Sequence, residues 1–442
     1  LKKRLTILGA GESGTGAALL GKAKGYDVFV SDYGVIKDQY AQELLANHIE
    51  FESGKHSEER ILESDLVIKS PGIPESAPLI KKLRQRGNLI IGEIEFAVKY
   101  TAAKVIGITG TNGKTTTTLL TYHLLKEGGL NVGIGGNVGK SFARQVIEDM
   151  HDWYVLELSS FQLDDCYELK LDIAVLLNIT PDHLDRYDYD FEKYIASKMR
   201  IFHLVHLGGH AVYSTDDHQS GKNISSAARG LKVHPFSLGG DASEILYDRL
   251  FFTPFNFEVS APRADISIKG LHNMKNAMAA GYAASLAGVS EEAIIKGFKT
   301  FKNAPHRLES VRKIDGVEFV NDSKATNVDA VFYALDAFKT PIVWIAGGVD
   351  KGNDYSLIQA LVEEKVKALI CLGKDNSKLF TAFENVVPII KATDDLIKAI
   401  RMAKEIAAPG ETVLLSPACA SFDLFKNYED RGDQFRKLVL AI

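Results

Sequence analysis

Cysteine is scarce in this chain. Cys166, Cys371 and Cys419 are the only three in 442 residues, far apart and without paired spacing. That excludes a disulfide framework and a cysteine-rich zinc site, and it fits a reducing cytoplasm. Long apolar runs are missing too. No stretch approaches the roughly 20 residues needed to cross a bilayer, and the chain opens on a strand rather than an apolar leader. No block of lysine and arginine marks a polyanion groove: 52 basic against 57 acidic residues leave a net charge of −5, which argues against a nucleic-acid partner. Heptads, low-complexity tracts and internal repeats of roughly 20–50 residues do not occur, so a solenoid or coiled coil is excluded. A soluble cytoplasmic chain with neither membrane nor nucleic-acid partner is expected. Its 45% hydrophobic and 25% charged residues suit full globular cores. At roughly 150 residues per domain, its length suggests about three domains.

The most informative stretch is Lys104–Leu119. An apolar, β-branched run at Val105–Ile108 reads as a buried strand, Gly110 and Gly113 mark a turn, and Lys114-Thr115-Thr116 opens a helical pattern reaching about Glu127. Strand, glycine-rich turn and helix N-terminus make a phosphate site: amide N–H groups and the helix dipole face the anion, Lys114 reaches the outer phosphates, and Thr115 can hold Mg²⁺. The general phosphate-loop spacing would put a glycine at Ile108, so the match is imperfect. A nucleoside triphosphate is nevertheless expected.

Residues 1–95 alternate strand and helix, which implies a parallel sheet covered by helices. Gly9-Ala10-Gly11-Glu12-Ser13-Gly14 follows the strand Leu5–Leu8, and Asp32 stands eighteen residues beyond Gly14. This pattern suits NAD(P), another nucleotide diphosphate, or a tight strand-to-helix turn with no ligand. Ser70-Pro71-Gly72-Ile73-Pro74 is a stiff turn after the strand Asp65–Lys69. Nothing in this region supplies hydride-transfer chemistry.

Further on, polar residues gather at the ends of successive strands: Asn137 after Asn131–Gly135, Glu157 and Ser159 at the end of Trp153–Leu158, and Asp182-His183 after Asp172–Leu177. Glu157 puts a carboxylate in an apolar strand, which is costly unless it is paired or binds a metal. Lys198 sits in a helical stretch, Phe191–Leu207, four residues after Tyr194; spacing alone makes it a solvated surface lysine. Asn273 and Asn276 project from the first turn of an alanine-rich helix beginning near His272 and suggest amide contacts to a ligand. From residue 305 the alternation restarts with strands at Val317–Val320, Ile342–Ala346, Val366–Leu372 and Thr412–Leu415. Polar loops follow at 321–327, 347–352 and 416–423.

Together, Gly-Thr-Asn-Gly-Lys-Thr at 110–115, Asn-Asp-Ser-Lys-Ala-Thr-Asn at 321–327, Leu-Ser-Pro-Ala-Cys-Ala-Ser-Phe-Asp at 415–423 and Asn-Tyr-Glu-Asp-Arg-Gly at 427–432 resemble the Mur ligases of peptidoglycan synthesis. The C-terminal motifs resemble the branch of that family that adds D-glutamate. The resemblance covers the whole chain and implies an α/β protein of three domains. These are a Rossmann-like UDP-binding domain at 1–95, a central phosphate-loop ATPase domain at 96–304, and a Rossmann-like domain at 305–442 for the incoming amino acid. It implies ATP-dependent amide formation between UDP-N-acetylmuramoyl-L-alanine and D-glutamate through an acyl phosphate, by a monomer using ATP and two Mg²⁺ sites.

Carried over residue by residue, the resemblance gives ATP to Gly110, Thr111, Asn112, Gly113, Lys114, Thr115 and Thr116, with Asn273, His306, Arg307 and Asp322 as further nucleotide contacts. It gives Mg²⁺ to Thr115, Glu157, His183 and Lys198, with Lys198 carbamylated by CO₂, which reverses the surface reading of that lysine. Catalytic roles fall to Lys114, Glu157, His183, Lys198, Arg307 and Lys324. Gly14 and Asp32 become contacts to UDP, Asn137 and Ser159 to the muramoyl substrate and its reacting carboxylate, and Thr326, Lys351, Ser416 and Phe422 to D-glutamate. The NAD reading recedes. A folylpolyglutamate-type ligase lacks an N-terminal UDP domain of this kind, and a regulatory GTPase would need an Asn-Lys-x-Asp motif that this sequence does not contain.

Overall fold

The computed structural model describes residues 2–240, 243–246, 249–253, 258–268 and 270–442. The chain forms two compact units, one of Leu1–Ser267 with Lys275–Phe301 and the other of Ile268–Met274 with Lys302–Ile442.

The first unit begins with a parallel sheet of β1 (Arg4–Leu8), β2 (Asp27–Asp32), β3 (Glu50–Ser53), β4 (Leu66–Lys69) and β5 (Ile90–Ile91), in the order β3-β2-β1-β4-β5. The chain winds outward from β1 to β3 and then returns to β4. The order therefore reverses between β1 and β4, and in such sheets the crevice beyond the strand ends at that point receives ligands. Both turns singled out in the sequence lie there: Gly9–Gly14 follows β1 and Ser70–Pro74 follows β4.

A second parallel sheet holds β6 (Lys104–Thr109), β7 (Val132–Gly136), β8 (Trp153–Glu157), β9 (Leu171–Leu176), β10 (Val205–Ser214) and β11 (Lys232–Phe236), ordered β11-β10-β9-β6-β8-β7. β6 is central, flanked by β9 and β8, and Val105, Ile106 and Ile108 are each no more than 1% exposed. Strands covered on both faces read as continuous apolar runs, which is why β6 and β8 were legible. Each such aliphatic side chain contributes about 1.5–3 kcal/mol on burial. The helix Phe191–His203 ends four residues earlier than the sequence suggests, because Val205 already begins β10. A small antiparallel sheet, β12 (Gly239–Gly240), β13 (Ser243–Leu246), β14 (Arg249–Phe252) and β15 (Val259–Pro262), completes the strands of this unit.

The second unit is built on β16 (Glu309–Ile314), β17 (Val317–Asn321), β18 (Ile342–Ala346), β19 (Val366–Leu372), β20 (Ile389–Thr393) and β21 (Thr412–Leu415), ordered β16-β17-β21-β18-β19-β20. All pairs are parallel except β16 with β17. β17, β21 and β18 are neighbours, so the loops at 322–327, 416–423 and 347–352 leave one edge of the sheet side by side. Apolar layers cover both faces, one around Trp344 and Phe383, the other around Phe319, Ile400 and Phe435.

Candidate active site

The phosphate loop is braced from the end of β9. Thr111 N–H donates to the Asn178 carbonyl at 2.9 Å, Asn112 N–H to Asn178 Oδ1 at 2.9 Å, and Asn178 Nδ2 back to the Asn112 carbonyl at 3.1 Å. Thr111 Oγ1 adds a bond to the Thr180 carbonyl at 3.0 Å and lies 3.1 Å from the Tyr194 hydroxyl. Ile108, where the general pattern expects glycine, is a buried rung of β6 paired with Glu157, so the loop proper begins at Gly110. Gly113 caps the helix Lys114–Glu127 at φ +86°, and a Cβ there would lie 2.4 Å from Asn276 Oδ1. Asn276 thus packs on the loop backbone, which accounts for one of the two asparagines. Thr116 is buried and Thr115 half-buried in the helix's first turn.

Two lysines converge on one oxygen. The Gly110 carbonyl accepts from Lys114 Nζ at 2.8 Å and from Lys198 Nζ at 2.8 Å; Lys114 also donates to the Thr111 carbonyl. Lys198 is 1% exposed, so the surface reading of it is wrong. Its ammonium lies 4.7 Å over the Tyr194 ring, as the four-residue spacing allows. Burial, and behind it the charge of Lys114, hold Lys198 well below the ordinary lysine range, while Asp182, Asp164 and Glu157 pull the other way. Lowering in that direction makes the neutral amine, the nucleophilic form of lysine, easier to reach than it is in water.

Glu157 closes β8 at 2% exposure. Its Oε1 accepts from Asn137 Nδ2 at 3.0 Å, while its Oε2 is buried with no hydrogen-bond partner. An orphaned carboxylate oxygen is costly, and a bound cation would remove the cost. Among the described residues no group of three or more histidine, cysteine, aspartate and glutamate side chains is arranged to hold a metal. His183 takes a left-handed backbone at φ +50°, its side chain is about half exposed, and its Nε2 stands 3.6 Å from Asp182 Oδ2.

At the crevice of the first sheet, Asp32 ties the glycine turn to β2: its Oδ2 accepts from Ala10 N–H at 2.7 Å and its Oδ1 from Gly34 N–H at 2.8 Å. Gly14 has a packing reason of its own, since a Cβ there would lie 1.9 Å from the Gly9 carbonyl oxygen. Ser159 is the N-cap of the helix Ser160–Asp164 in a reciprocal capping box with Gln162. Local structure already engages all three residues.

In the second unit, Asp322 is buried with Oδ2 accepting from Ser416 Oγ at 2.8 Å and Oδ1 from Leu308 N–H at 3.1 Å. Burial raises it to about 7, against the pull of Ser416, the Leu308 amide and Arg307. Ser416 thus gives its one O–H to Asp322 and keeps acceptor capacity only. His306 is buried at φ +65°, with Asn321 Nδ2 2.9 Å from its Nδ1. Lys324 Nζ lies 3.7 Å over the Tyr428 ring. Lys351 is exposed, Thr326 half-buried and Phe422 72% exposed. Asn273 is buried in the short segment 268–274 of this unit. Of the nucleotide contacts carried over, the residues at 110–116 thus lie in the first unit, and Asn273, His306, Arg307 and Asp322 in the second.

No role was expected for Arg431, which is among the largest fully buried side chains of the described residues. Its guanidinium donates to Ser323 Oγ and to the carbonyls of Ser323, Gly347 and Cys419, and so ties together the loops after β17, β18 and β21. Only its place in the motif at 427–432 hinted at it.

Known proteins resemble the chain throughout. The Mur ligase MurD-like N-terminal domain matches residues 3–92, the Mur ligase middle domain 108–284, and the Mur ligase glutamate ligase domain 306–419. The UDP-N-acetylmuramoylalanine--D-glutamate ligase of Cytophaga hutchinsonii is 54% identical over 452 residues, covering 100% of each chain. That of Bacteroides fragilis is 49% identical over 442 residues, covering 99% of each. Among solved structures, UDP-N-acetylmuramate-alanine ligase MurC of Thermotoga maritima superposes with a TM-score of 0.61 at 17% identity over 100% of both chains. The MurF ligase of the same organism, in complex with ADP, gives 0.63 at 18% identity, over 94% of this chain and 96% of the other. The structures support the fold, and the full-length sequence identity settles the family: the chain belongs to the Mur ligases.

Proposed function

We propose that this chain is an ATP-dependent amide ligase that adds D-glutamate to UDP-N-acetylmuramoyl-L-alanine in peptidoglycan precursor synthesis. The observation that carries the reading is identity of about one half, over full length, to ligases of that name. The phosphate loop and the buried, half-satisfied Glu157 support it. We take the domains as 1–95, 96–304 and 305–442. Among the described residues no helix is long and apolar enough to cross a membrane.

The reaction needs an activated carboxylate, because an unactivated one would have to expel oxide. The L-alanyl carboxylate attacks the γ-phosphorus of ATP, the bond to ADP breaks, and an acyl phosphate results. The D-glutamate amine then attacks the carbonyl carbon, loses a proton, and phosphate leaves. The first step brings two anions together, so cations must offset the repulsion. Lys114 supplies one once it exchanges its loop carbonyls for phosphate oxygens, with amides of residues 110–116 around the same phosphates, and Arg307 supplies another. Glu157, through its orphaned oxygen, with Thr115, His183 and Lys198 would hold Mg²⁺, which would supply charge neutralisation at the phosphates. Lys198, buried and held below the ordinary lysine range, suits reaction of its neutral form with CO₂ to a carbamate, which turns a buried cation into an anionic ligand. Lys324 is assigned a catalytic role at the reacting carboxylate. Asn273, His306 and Asp322 hold the nucleotide, Gly14 and Asp32 the UDP, Asn137 and Ser159 the muramoyl part, and Thr326, Lys351, Ser416 and Phe422 D-glutamate.

The test is phosphate release from ATP with UDP-N-acetylmuramoyl-L-alanine and each candidate amino acid. Release that depends on D-glutamate is expected, and its absence would refute the assignment.

A further inference from the structure

The turn Ser70–Pro74 belongs to the first sheet but is held from the second. Pro71 and Pro74 contribute carbonyls without amide donors, so the turn is rich in acceptors and needs donors from elsewhere. Arg186, in the segment after β9, supplies them. Its Nη1 donates to the Gly72 carbonyl at 2.9 Å, and its Nη2 to that of Pro71 at 3.2 Å, with a longer contact of 3.5 Å to Ile73. Lys69, at the end of β4, donates to the same Ile73 carbonyl at 3.1 Å and pairs with Asp165 at 2.9 Å; both side chains are almost fully buried. The turn is thus gripped at its carbonyls by two cations, each anchored in the second sheet's layer.

Arg186 is also linked to His183 through a shared ring. Its guanidinium lies 4.3 Å over the Phe161 ring, and the His183 imidazole packs edge-on against that ring at 5.3 Å. Tyr187, the next residue, donates its hydroxyl to Asp164 at 2.9 Å and lies 3.1 Å from Ser197 Oγ, beside Lys198. One short segment therefore carries His183, holds the turn of the first sheet, and borders the helix of Lys198. A planar fork with five donors can span neighbouring carbonyls while stacking on a ring, which an ammonium cannot do.

We propose that Arg186 is a positioning residue. It fixes the Ser70–Pro74 turn, and with it the nucleotide-sugar substrate seated at the first sheet's crevice, relative to His183, so that the substrate carboxylate is presented at the correct distance. The proposal rests on the ligase reading above.

The experiment is steady-state kinetics of the full chain, wild type beside Arg186→Ala and Arg186→Lys, measured as phosphate release with each substrate varied in turn. In Arg186→Ala, KM for UDP-N-acetylmuramoyl-L-alanine should rise about tenfold or more and kcat should fall, while KM for ATP and D-glutamate moves by less than about twofold. Added guanidinium ion should restore part of the lost kcat/KM in Arg186→Ala, and Arg186→Lys should fall between the two. Unchanged kinetics in both variants would overturn the proposal. So would equal losses toward all three substrates that track a fall in Tm, because those describe a structural residue only. Wild-type chain that releases no phosphate with D-glutamate would instead refute the ligase reading itself, and the proposal with it.

Discussion

Each unit of this chain buries a cation among backbone carbonyls, and the two cations differ in kind. In the first unit it is Lys198 on the Gly110 carbonyl; in the second it is Arg431 on the carbonyls of Ser323, Gly347 and Cys419. Lysine can shed its proton when burial makes the charge costly, and Lys198 is held well below its ordinary range. Arginine is pushed only to about 10 and stays charged at neutral pH. The same burial makes one residue reactive and the other a permanent fastener. A buried lysine beside a phosphate loop is a chemical group in waiting, whereas a buried arginine among three loops is part of the frame.

The largest expected effect would break the first half of that contrast. Lys198→Met should lower phosphate release by at least about 10²-fold, yet raise Tm by a few degrees, since it removes a buried amine whose desolvation opposes folding. Lys198→Ala with unaltered activity, with or without added CO₂, would remove the carbamate from the scheme. Second in size, Arg431→Lys should cost about 3–5 kcal/mol of unfolding free energy, because the carbonyls and Ser323 lose their shared donor while an unmatched charge stays buried. An Arg431→Lys chain as stable as wild type would mean that the three loops hold their places without the clamp. Third, Gly14→Ala should destabilise by about 1–3 kcal/mol through its clash with the Gly9 carbonyl; unchanged stability would show that the turn can relax.

The smallest effect concerns a pair of acids, one in each unit. Glu93 is raised to about 7 by burial, with Oε1 bonded to Ser141 Oγ and Ala143 N–H and Oε2 lacking a partner; Asp322 is likewise raised to about 7. Between about pH 4 and pH 7 the folded acids keep protons that the unfolded chain has released. Stability contributed by them is therefore greatest at the acid end, falls as pH rises through that window, and levels off above it. Glu93→Gln and Asp322→Asn should each flatten part of that slope in urea unfolding followed against pH. If only one does so, the burial of the two acids is not equivalent.

What could be read in the sequence was whatever local pattern determines. The strand, glycine turn and helix around Lys114 followed from residue type and spacing, and Ile342–Ala346, Val366–Leu372 and Thr412–Leu415 form strands over those same residues. Glu157 was legible because a carboxylate in an apolar run has few explanations. What escaped depends on partners distant in the chain. Lys198 looked like a surface residue because its partner is a backbone oxygen 88 positions away. Arg431 looked like one more charge on a helix, although its targets lie in three separate loops. β16 escaped because an edge strand with alternating exposure offers no apolar run, and β12 to β15 because strands of two to four residues are too short to show a period. Ser159 and Ser416 carry the side chains expected from the resemblance, but hydrogen bonds within the protein already engage both, one to its own helix and one to Asp322.

The oxygen of Gly110 has a consequence in time. It is shared by Lys114 and Lys198, and after burial the charge of Lys114 is what pushes Lys198 further below the ordinary lysine range. When a triphosphate draws Lys114 toward its own oxygens and neutralises it, that repulsion weakens and Lys198 regains affinity for a proton. On the carbamate reading, CO₂ meets its best nucleophile before the nucleotide arrives. Bicarbonate given ahead of ATP should therefore shorten any lag in phosphate release relative to the reverse order, with one carbonyl setting the sequence in which the enzyme is primed.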